Sequence, residues 1–304
     1  MTKAEGILSQ SIRLSNSLGE SVLILPKMGG TIQELNLNLN GDLQNVIVAD
    51  EEDKLLTNPL FRGRLLIPFN DRIPDGKYTF LGSSYCLPIN CEEDGSSIHG
   101  LLYNKELDVL SQTPSEAILQ YVFQNECEGY PFHLKVRLNY KMETTGFTLH
   151  FEFENLGKTA APLAVGWHPY FSLGEKVDTH QLSLNGTSFV EVDDSLLPTG
   201  KLPSVLGQDF DFTRVKTIGS QELDLAITAS ADGITKLSLD QKKIEIIQDV
   251  SFFPYVQMYI PTDRQSIAIE PVSGATDSFN KAELGRKDLK SGEVLTTWFA
   301  VRGS

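Results

Sequence analysis

The chain has 304 residues, 40% hydrophobic and 22% charged, so it can bury a large core without a metal or disulfide staple. Its 26 basic and 40 acidic residues give a net charge of −14, which argues against binding to nucleic acid or to anionic membranes, because both need a basic face. The three cysteines have no CxxC spacing and predict neither a disulfide framework nor a zinc site, and we expect no metal site.

The N-terminal segment, residues 1–20, is interrupted by charged and polar side chains where a signal peptide would have its apolar core. The stretch 159–174 lacks Asp, Glu, Lys and Arg but contains two prolines and a histidine, and it is too short and too broken to span a bilayer. We therefore expect a cytoplasmic protein.

Alternation of apolar and polar residues is the main structural signal. In chain order it predicts strands over 21–25, 31–37, 78–81, 117–123, 134–142, 147–153, 236–239, 244–247, 255–260, 267–269 and 294–301. The clearest pair, 134–142 and 147–153, is joined by a short turn that contains Gly146. Helical periodicity is nearly absent, and only 50–56 and 278–284 are candidates for short helices.

Many short strands with few helices predict an all-β fold, as an antiparallel β-sandwich or barrel. No linker, repeat or change of composition divides the chain. We therefore expect residues 1–304 to form a single domain.

Two of the five histidines stand in unusual sequence surroundings. A glycine directly follows His99, and aromatic residues flank His168. Aromatic rings beside a histidine suit a sugar site, because the apolar face of a pyranose packs on rings while its hydroxyls bind polar groups. The alternative is a hydrogen-bonded core histidine. We expect the other three, His133, His150 and His180, to be solvated.

Two charged residues are further candidates. Glu270 closes an apolar strand and precedes a proline, where partial desolvation would raise its pKa towards that of a general base; the alternative is a glutamate in water. Arg72 lies in a turn-rich segment, and its five donors suit hydroxyl and ring oxygens. The alternative for Arg72 is an ion pair with Asp71 or Asp75.

These segments occur in an order that resembles the aldose 1-epimerase (galactose mutarotase) family. The matching stretches are FNDRI at 69–73, IHG at 98–100, WHPYF at 167–171, ELD at 222–224, IEP at 269–271, DSFN at 277–280 and LKSGE at 289–293. No single motif is specific to the family. Their occurrence in this order, along a β-rich chain of this length, is specific. The resemblance extends over nearly the whole chain.

The resemblance implies a large antiparallel β-sandwich with an open cleft on one sheet. It implies an isomerase in which Glu270 is the general base and His168 the general acid, with His99 as the third member of the catalytic set. His99 and Arg72 would hold the sugar and its ring oxygen, and Asp224 would hydrogen-bond sugar hydroxyls.

The chain departs from the family pattern beside the arginine. The family usually has an asparagine directly before the arginine, whereas here Asp71 takes that place and Asn70 lies one residue earlier. We keep both as candidate sugar contacts. Pro169 follows His168, where the better-known galactose mutarotases have a small polar residue. These departures bear on the preferred sugar more than on the reaction.

The predicted activity is the opening and reclosure of an aldose ring, which interconverts its anomers. One base and one acid suffice, so no cofactor is expected, and the expected partner is a small-molecule sugar bound by a monomer or homodimer. A related alternative is a hexose 6-phosphate epimerase, for which Arg62 and Arg64 are candidate phosphate ligands. Another is a carbohydrate-binding protein without catalytic activity.

Overall fold

The computed structural model describes residues 2–125 and 127–304. Within these ranges the helices are α1 (Lys3–Leu8) and three 3-10 helices, Pro26–Met28, Val177–Thr179 and Ala282–Leu284. The strands are β1 (Ile12–Ser15), β2 (Ser21–Leu25), β3 (Thr31–Leu39), β4 (Asp42–Asn45), β5 (Leu65–Leu66), β6 (Arg72–Pro74), β7 (Lys77–Phe80), β8 (Ser83–Cys86), β9 (Ser96–Ile98), β10 (Asp108–Gln112), β11 (Glu116–Gln124), β12 (His133–Met142), β13 (Phe147–Asn155), β14 (Ala161–Leu163), β15 (Gly166–Trp167), β16 (Tyr170–Phe171), β17 (Gln181–Leu184), β18 (Lys216–Thr217), β19 (Asp224–Thr228), β20 (Ile234–Leu239), β21 (Lys242–Gln248), β22 (Tyr255–Tyr259), β23 (Ile267–Val272), β24 (Lys287–Leu289) and β25 (Val294–Gly303).

Two large antiparallel sheets make up the main body. The nine-stranded sheet has the order β10-β11-β12-β13-β25-β21-β20-β17-β18. The six-stranded sheet has the order β19-β22-β23-β15-β5, with β16 also paired to β23. Strands β1 to β4 form a third sheet, and β6–β9, β7–β8 and β14–β24 are two-stranded. The predicted antiparallel β-sandwich is confirmed.

The core lies between the two large sheets. Along β12 the apolar side chains of the alternating pattern are buried and the residues between them are partly exposed, because successive strand residues point to opposite faces. Trp167 of the six-stranded sheet stacks on Phe299 of the nine-stranded sheet, with ring centroids 4.6 Å apart and planes 4° apart. This stacked pair joins the two layers directly beneath His168.

The helix predictions are wrong, although each predicted strand is present. Residues 50–56 form turns, and only the end of 278–284 is helical, as the 3-10 helix Ala282–Leu284. The backbone N–H of Asp277 donates to the carbonyl of Arg72 (2.9 Å), which ties the start of this segment to β6. The helix α1 was not predicted; Thr2 and Glu5 form its capping box. No helix in the described ranges is long and apolar enough to cross a membrane.

Candidate active site

A pocket of about 300 Å³ opens on the outer face of the six-stranded sheet. All seven residues predicted from the sequence line it: Asn70, Asp71, Arg72, His99, His168, Asp224 and Glu270. The lining also includes residues that the sequence did not single out, among them Phe61, Glu93, Tyr170, Gln257 and Tyr259.

The floor of the pocket is built from alternate residues on three neighbouring strands. Glu270 on β23 stands opposite Gln257 on β22, and Tyr259, two residues further along β22, stands opposite Asp224 on β19. Glu270 was expected at the end of its strand, and this is wrong: β23 continues through Pro271 to Val272. The side chain of Glu270 is therefore held inside a sheet and is only 3% exposed.

His168 is fixed between β15 and β16 by a pair of backbone hydrogen bonds. Its N–H donates to the carbonyl of Arg64 (3.0 Å), and its own carbonyl accepts from the N–H of Gly63 (2.8 Å). Its ring stacks on Tyr170, with centroids 4.9 Å apart and planes 8° apart. Because Trp167 faces the core, His168 points to the pocket side of the sheet.

His168 and Glu270 face each other across the pocket floor. The distance from His168 Nδ1 to Glu270 Oε1 is 3.5 Å, and both side chains are almost fully buried. Burial raises the pKa of Glu270 well above its usual value, and the carboxylates of Asp71 and Asp224 raise it further. Burial lowers the pKa of His168 well below its usual value, and His99 lowers it further. These two shifts favour an uncharged pair, with the proton on the carboxyl group.

The second histidine lies beside the first because β6 pairs with β9. Arg72 on β6 stands opposite Ile98, and His99 follows directly, with its N–H donating to the carbonyl of Asp71 (3.1 Å). The ring of His99 makes an edge contact with His168, with centroids 5.2 Å apart. Burial and Arg72 lower the pKa of His99 to about 4, against the opposite effect of Asp71. His99 is thus a neutral imidazole near pH 7.

Arg72 is paired, but not with either of the aspartates that the sequence suggested. Its guanidinium Nε donates to the carboxylate of Asp94 in a short ion pair. The carboxylate of Asp71 instead accepts from the backbone N–H of Arg72 (2.7 Å) and from the hydroxyl of Thr276 (2.6 Å). The Asp94 contact orients the guanidinium of Arg72, whose other nitrogens remain for a ligand.

Asn70 and Asp224 differ in how freely they face the pocket. The side-chain amide of Asn70 donates to the carbonyl of Gly274 and accepts from its N–H, so both ends are used within the protein. Asp224 lies at the exposed rim and accepts from Gln257 (3.0 Å). Protein atoms on the pocket side limit its hydration, and this, together with Asp71, raises the pKa of Asp224 to about 6 although Arg72 opposes the shift.

The charge of the lining is mostly negative. Asp71, Glu93, Asp224 and Glu270 are acidic, and Arg72 is the basic residue in the described lining. The side chains in the described ranges contain no group of three or more His, Cys, Asp or Glu residues arranged to hold a metal ion.

The two arginines proposed as phosphate ligands are both engaged with other groups of the protein. Arg64 is completely buried, and its guanidinium donates to Asn58 Oδ1 (3.0 Å), Thr31 Oγ1 (2.8 Å) and the carbonyl of Leu55 (2.8 Å). Arg62 lies over the ring of Tyr170, 5.4 Å from its centroid. Neither residue lines the pocket among the residues described.

One of the remaining histidines contradicts its prediction. His180 was expected in solvent but is fully buried, where Nε2 accepts from the N–H of Leu173 (3.2 Å) and Nδ1 lies 3.1 Å from the carbonyl of Lys176. These two contacts of the His180 ring hold together the loop that follows β16. His133 and His150 are exposed, as predicted.

Comparison with known proteins gives consistent matches. A family model described as aldose 1-epimerase matches residues 10–302. The chain is 30% identical over 245 residues to YihR, an uncharacterized protein of Escherichia coli, with 79% of each chain covered. It is 27% identical to a galactose mutarotase from Mus musculus, over 66% of this chain and 59% of the relative.

Solved structures show the same fold. A GalM/aldose epimerase homologue from C. elegans superposes with a TM-score of 0.85 at 21% identity, covering 97% of this chain and 98% of the other. A galactose 1-epimerase from Lactobacillus acidophilus has a TM-score of 0.80 at 20% identity, covering 97% and 94%.

Proposed function

The chain belongs to the aldose 1-epimerase family, and from this we propose that it is a mutarotase that interconverts the α and β anomers of an uncharged aldose. The observation that carries the proposal is the approach of Glu270 and His168, 3.5 Å apart, at the floor of a pocket that also holds His99 and Arg72. A carboxylate and an imidazole in one enclosed site are the two proton-transfer groups that the reaction requires.

In the proposed mechanism, Glu270 takes the proton from the anomeric hydroxyl while His168 gives a proton to the ring oxygen. The C1–O5 bond breaks and leaves an open-chain aldehyde. After rotation about C1–C2, the hydroxyl attacks the other face of the carbonyl carbon, and both protons return. The two groups exchange roles on closure, and the overall reaction neither gains nor loses a proton.

Burial favours the ring-opened stage of this cycle. Before opening, Glu270 is ionised and His168 is protonated; after opening, both are neutral. The pocket raises the pKa of Glu270 and lowers that of His168, mainly by desolvation, so it favours the neutral state. We infer that sugar hydroxyls stabilise the charged pair when the ring is bound and that desolvation then drives both proton transfers.

The other lining residues are proposed to hold the sugar. Arg72 and neutral His99 reach the ring oxygen and a neighbouring hydroxyl, whereas Asp224 and Gln257 form a rim that binds hydroxyls further round the ring. Tyr259 offers an aromatic face to the apolar side of a pyranose. The side-chain amide of Asn70 is already hydrogen-bonded to the backbone of Gly274, so we propose no direct contact between Asn70 and the sugar.

The electrostatics of the pocket favour an uncharged sugar over a sugar phosphate. A phosphate is bound in proteins by converging cations. Here Arg72 is the one basic residue of the described lining and is partly neutralised by Asp94, and Arg64 is sealed in the core, so cations do not converge. The carboxylates of Asp71, Glu93 and Asp224 in the lining would repel a phosphate group.

A polarimetric panel tests the proposal. Freshly dissolved α-anomers of galactose, glucose, xylose, arabinose and glucose 6-phosphate are each followed with and without enzyme, and glucose 6-phosphate is also added as a competitor. The proposal expects faster mutarotation of at least one uncharged sugar and little competition by the phosphate. Acceleration confined to the phosphorylated sugar, or sugar binding without acceleration, would contradict it.

A further inference from the structure

A second groove lies on the outer face of the nine-stranded sheet. It has a volume of about 450 Å³, and its lining in the described part of the chain has no residue in common with that of the active-site pocket. We propose that this groove binds a neutral disaccharide, or the end of a longer oligosaccharide. The inference concerns a separate site and does not depend on the proposed catalysis.

Strand register builds the groove from two rows of outward side chains. In one row Asn139 on β12, His150 on β13 and Trp298 on β25 stand directly opposite one another. In the next row, two residues along each strand, Arg137 and Glu152 stand opposite each other and next to Thr296. An aromatic ring therefore lies at one end of a surface lined by hydrogen-bonding groups.

Trp298 is the feature that most directly indicates a sugar. It is 36% exposed, although its neighbour Phe299 points inward and is fully buried. A large aromatic ring exposed beside polar side chains offers the two contacts that a pyranose uses, with its apolar face on the ring and its hydroxyls on the polar groups.

Two buried polar atoms on side chains that line the groove have no hydrogen-bond partner among the described residues. Asn139 donates to Glu116 Oε1 (2.9 Å), but its own Oδ1 is buried and has no hydrogen-bond partner among the described residues. Arg137 donates from Nη1 to Glu152 Oε1 (3.0 Å), and its Nε is likewise buried and unpaired there. Both atoms are closed off from solvent, so a ligand in the groove meets instead the polar groups of His150, Glu152 and Thr296, which are exposed or partly exposed and can donate to and accept from sugar hydroxyls.

The charges and the size of the groove favour a neutral ligand larger than one sugar ring. Arg137 is the one Lys or Arg in the described lining and is paired with Glu152, and Asp249 adds a second carboxylate, so this lining offers no converging cations for a phosphate or nucleic acid. The row from Asn139 through His150 to Trp298 crosses three strands, about 10 Å from first to last, which is longer than one pyranose ring.

The two tryptophans provide a direct test. Trp167 is fully buried, so acrylamide quenching of the protein's fluorescence reports on Trp298. Titration with maltose, cellobiose and lactose is expected to reduce quenching for at least one of them. In calorimetry with that sugar, Trp298→Ala should weaken binding at this site by about tenfold or more, and Trp298→Tyr should weaken it less, because the ring is kept.

Leu110→Ala is the matched control, because Leu110 is an exposed apolar residue at the edge of the same sheet and lies outside the groove. It should bind the sugar as the unmodified protein does, and circular dichroism should show that every variant is folded. Equal quenching with and without each sugar would overturn the proposal. So would quenching that falls with protein concentration alone, which would identify the groove as a contact between two copies of the chain.

Discussion

Gly63→Ala tests whether the backbone around His168 holds the active site in place. Gly63 has a φ of +70°, in the left-handed region, and an added Cβ would collide with the carbonyl oxygen of Ile32. Its N–H donates to the carbonyl of His168 (2.8 Å), and its carbonyl accepts from the N–H of Ile32 (3.0 Å). The substitution therefore strains the residue and displaces both hydrogen bonds.

The size of the effect follows from these contacts. Placing alanine in the left-handed region costs about 1 kcal/mol. Weakening two buried backbone hydrogen bonds costs about 1 kcal/mol each. We expect Gly63→Ala to lower the free energy of unfolding by about 3 kcal/mol in total. A displacement of His168 by about 1 Å should also lower kcat by about 10²-fold.

Gly207→Ala is the matched control. Gly207 has a φ of +82° but no neighbouring atom within 4 Å of an added Cβ. It should lose only the strain energy of about 1 kcal/mol and keep its activity. Unfolding in urea gives both free energies, and polarimetry, corrected for the folded fraction, gives kcat. Equal losses in the two variants would refute the argument that Gly63 positions His168.

Three further predictions concern protonation. Turnover should follow a bell-shaped pH profile between about pH 4 and 9, because the active pair carries one proton. On the acid side the pair gains a second proton, at a pH below the ordinary His pKa of 6.5 because the pKa of His168 is lowered. On the alkaline side the pair loses its one proton, at a pH above the ordinary Glu pKa of 4.5 because the pKa of Glu270 is raised. A flat profile by polarimetry would count against the His168–Glu270 pair. Asp71→Asn removes a like charge that adds to the effect of burial on the pKa of Glu270, so the alkaline limb should move to lower pH in the same titration; an unmoved limb would mean that Asp71 does not act on Glu270. Finally, burial lowers the pKa of His180 in the folded protein. As the pH falls through 6.5, His180 is therefore protonated in the unfolded chain before it is protonated in the folded one, and the free energy of unfolding should decrease below that pH. Urea unfolding at stepped pH should show a smaller loss in His180→Gln, and an unchanged slope would exclude this role.

The strands could be predicted because one face of each large sheet is buried. In 134–142 and 147–153, the apolar residues of the alternating pattern are the ones whose side chains are buried. The same reasoning could not find α1, which at six residues is too short to show helical periodicity. It also failed for 278–284, whose start is tied to β6 by a long-range backbone hydrogen bond from Asp277 to Arg72 that local periodicity does not report.

Local patterns single out a site residue only where it is unusual in its own segment, whereas Asn70 and Asp224 are predicted only through the family resemblance. His99 and His168 were found because histidine is scarce and their neighbours are distinctive. Gln257 and Tyr259 lie in an ordinary alternating strand, and only the pairing of β22 with β19 and β23 brings them into the pocket. The bonding of Asn70 to Gly274 depends on residues about two hundred positions apart, which local patterns do not report.

The carboxylate base is the central claim, and the rate of Glu270→Gln measures it most directly. The substitution keeps the shape of the side chain but removes its ability to take a proton. With the best sugar from the panel, we predict a loss of about 10²–10⁴-fold in polarimetric turnover with sugar affinity largely kept. Glu92→Gln, at an exposed glutamate outside the pocket, should turn over normally. A Glu270→Gln enzyme with the unmodified rate would contradict the mechanism.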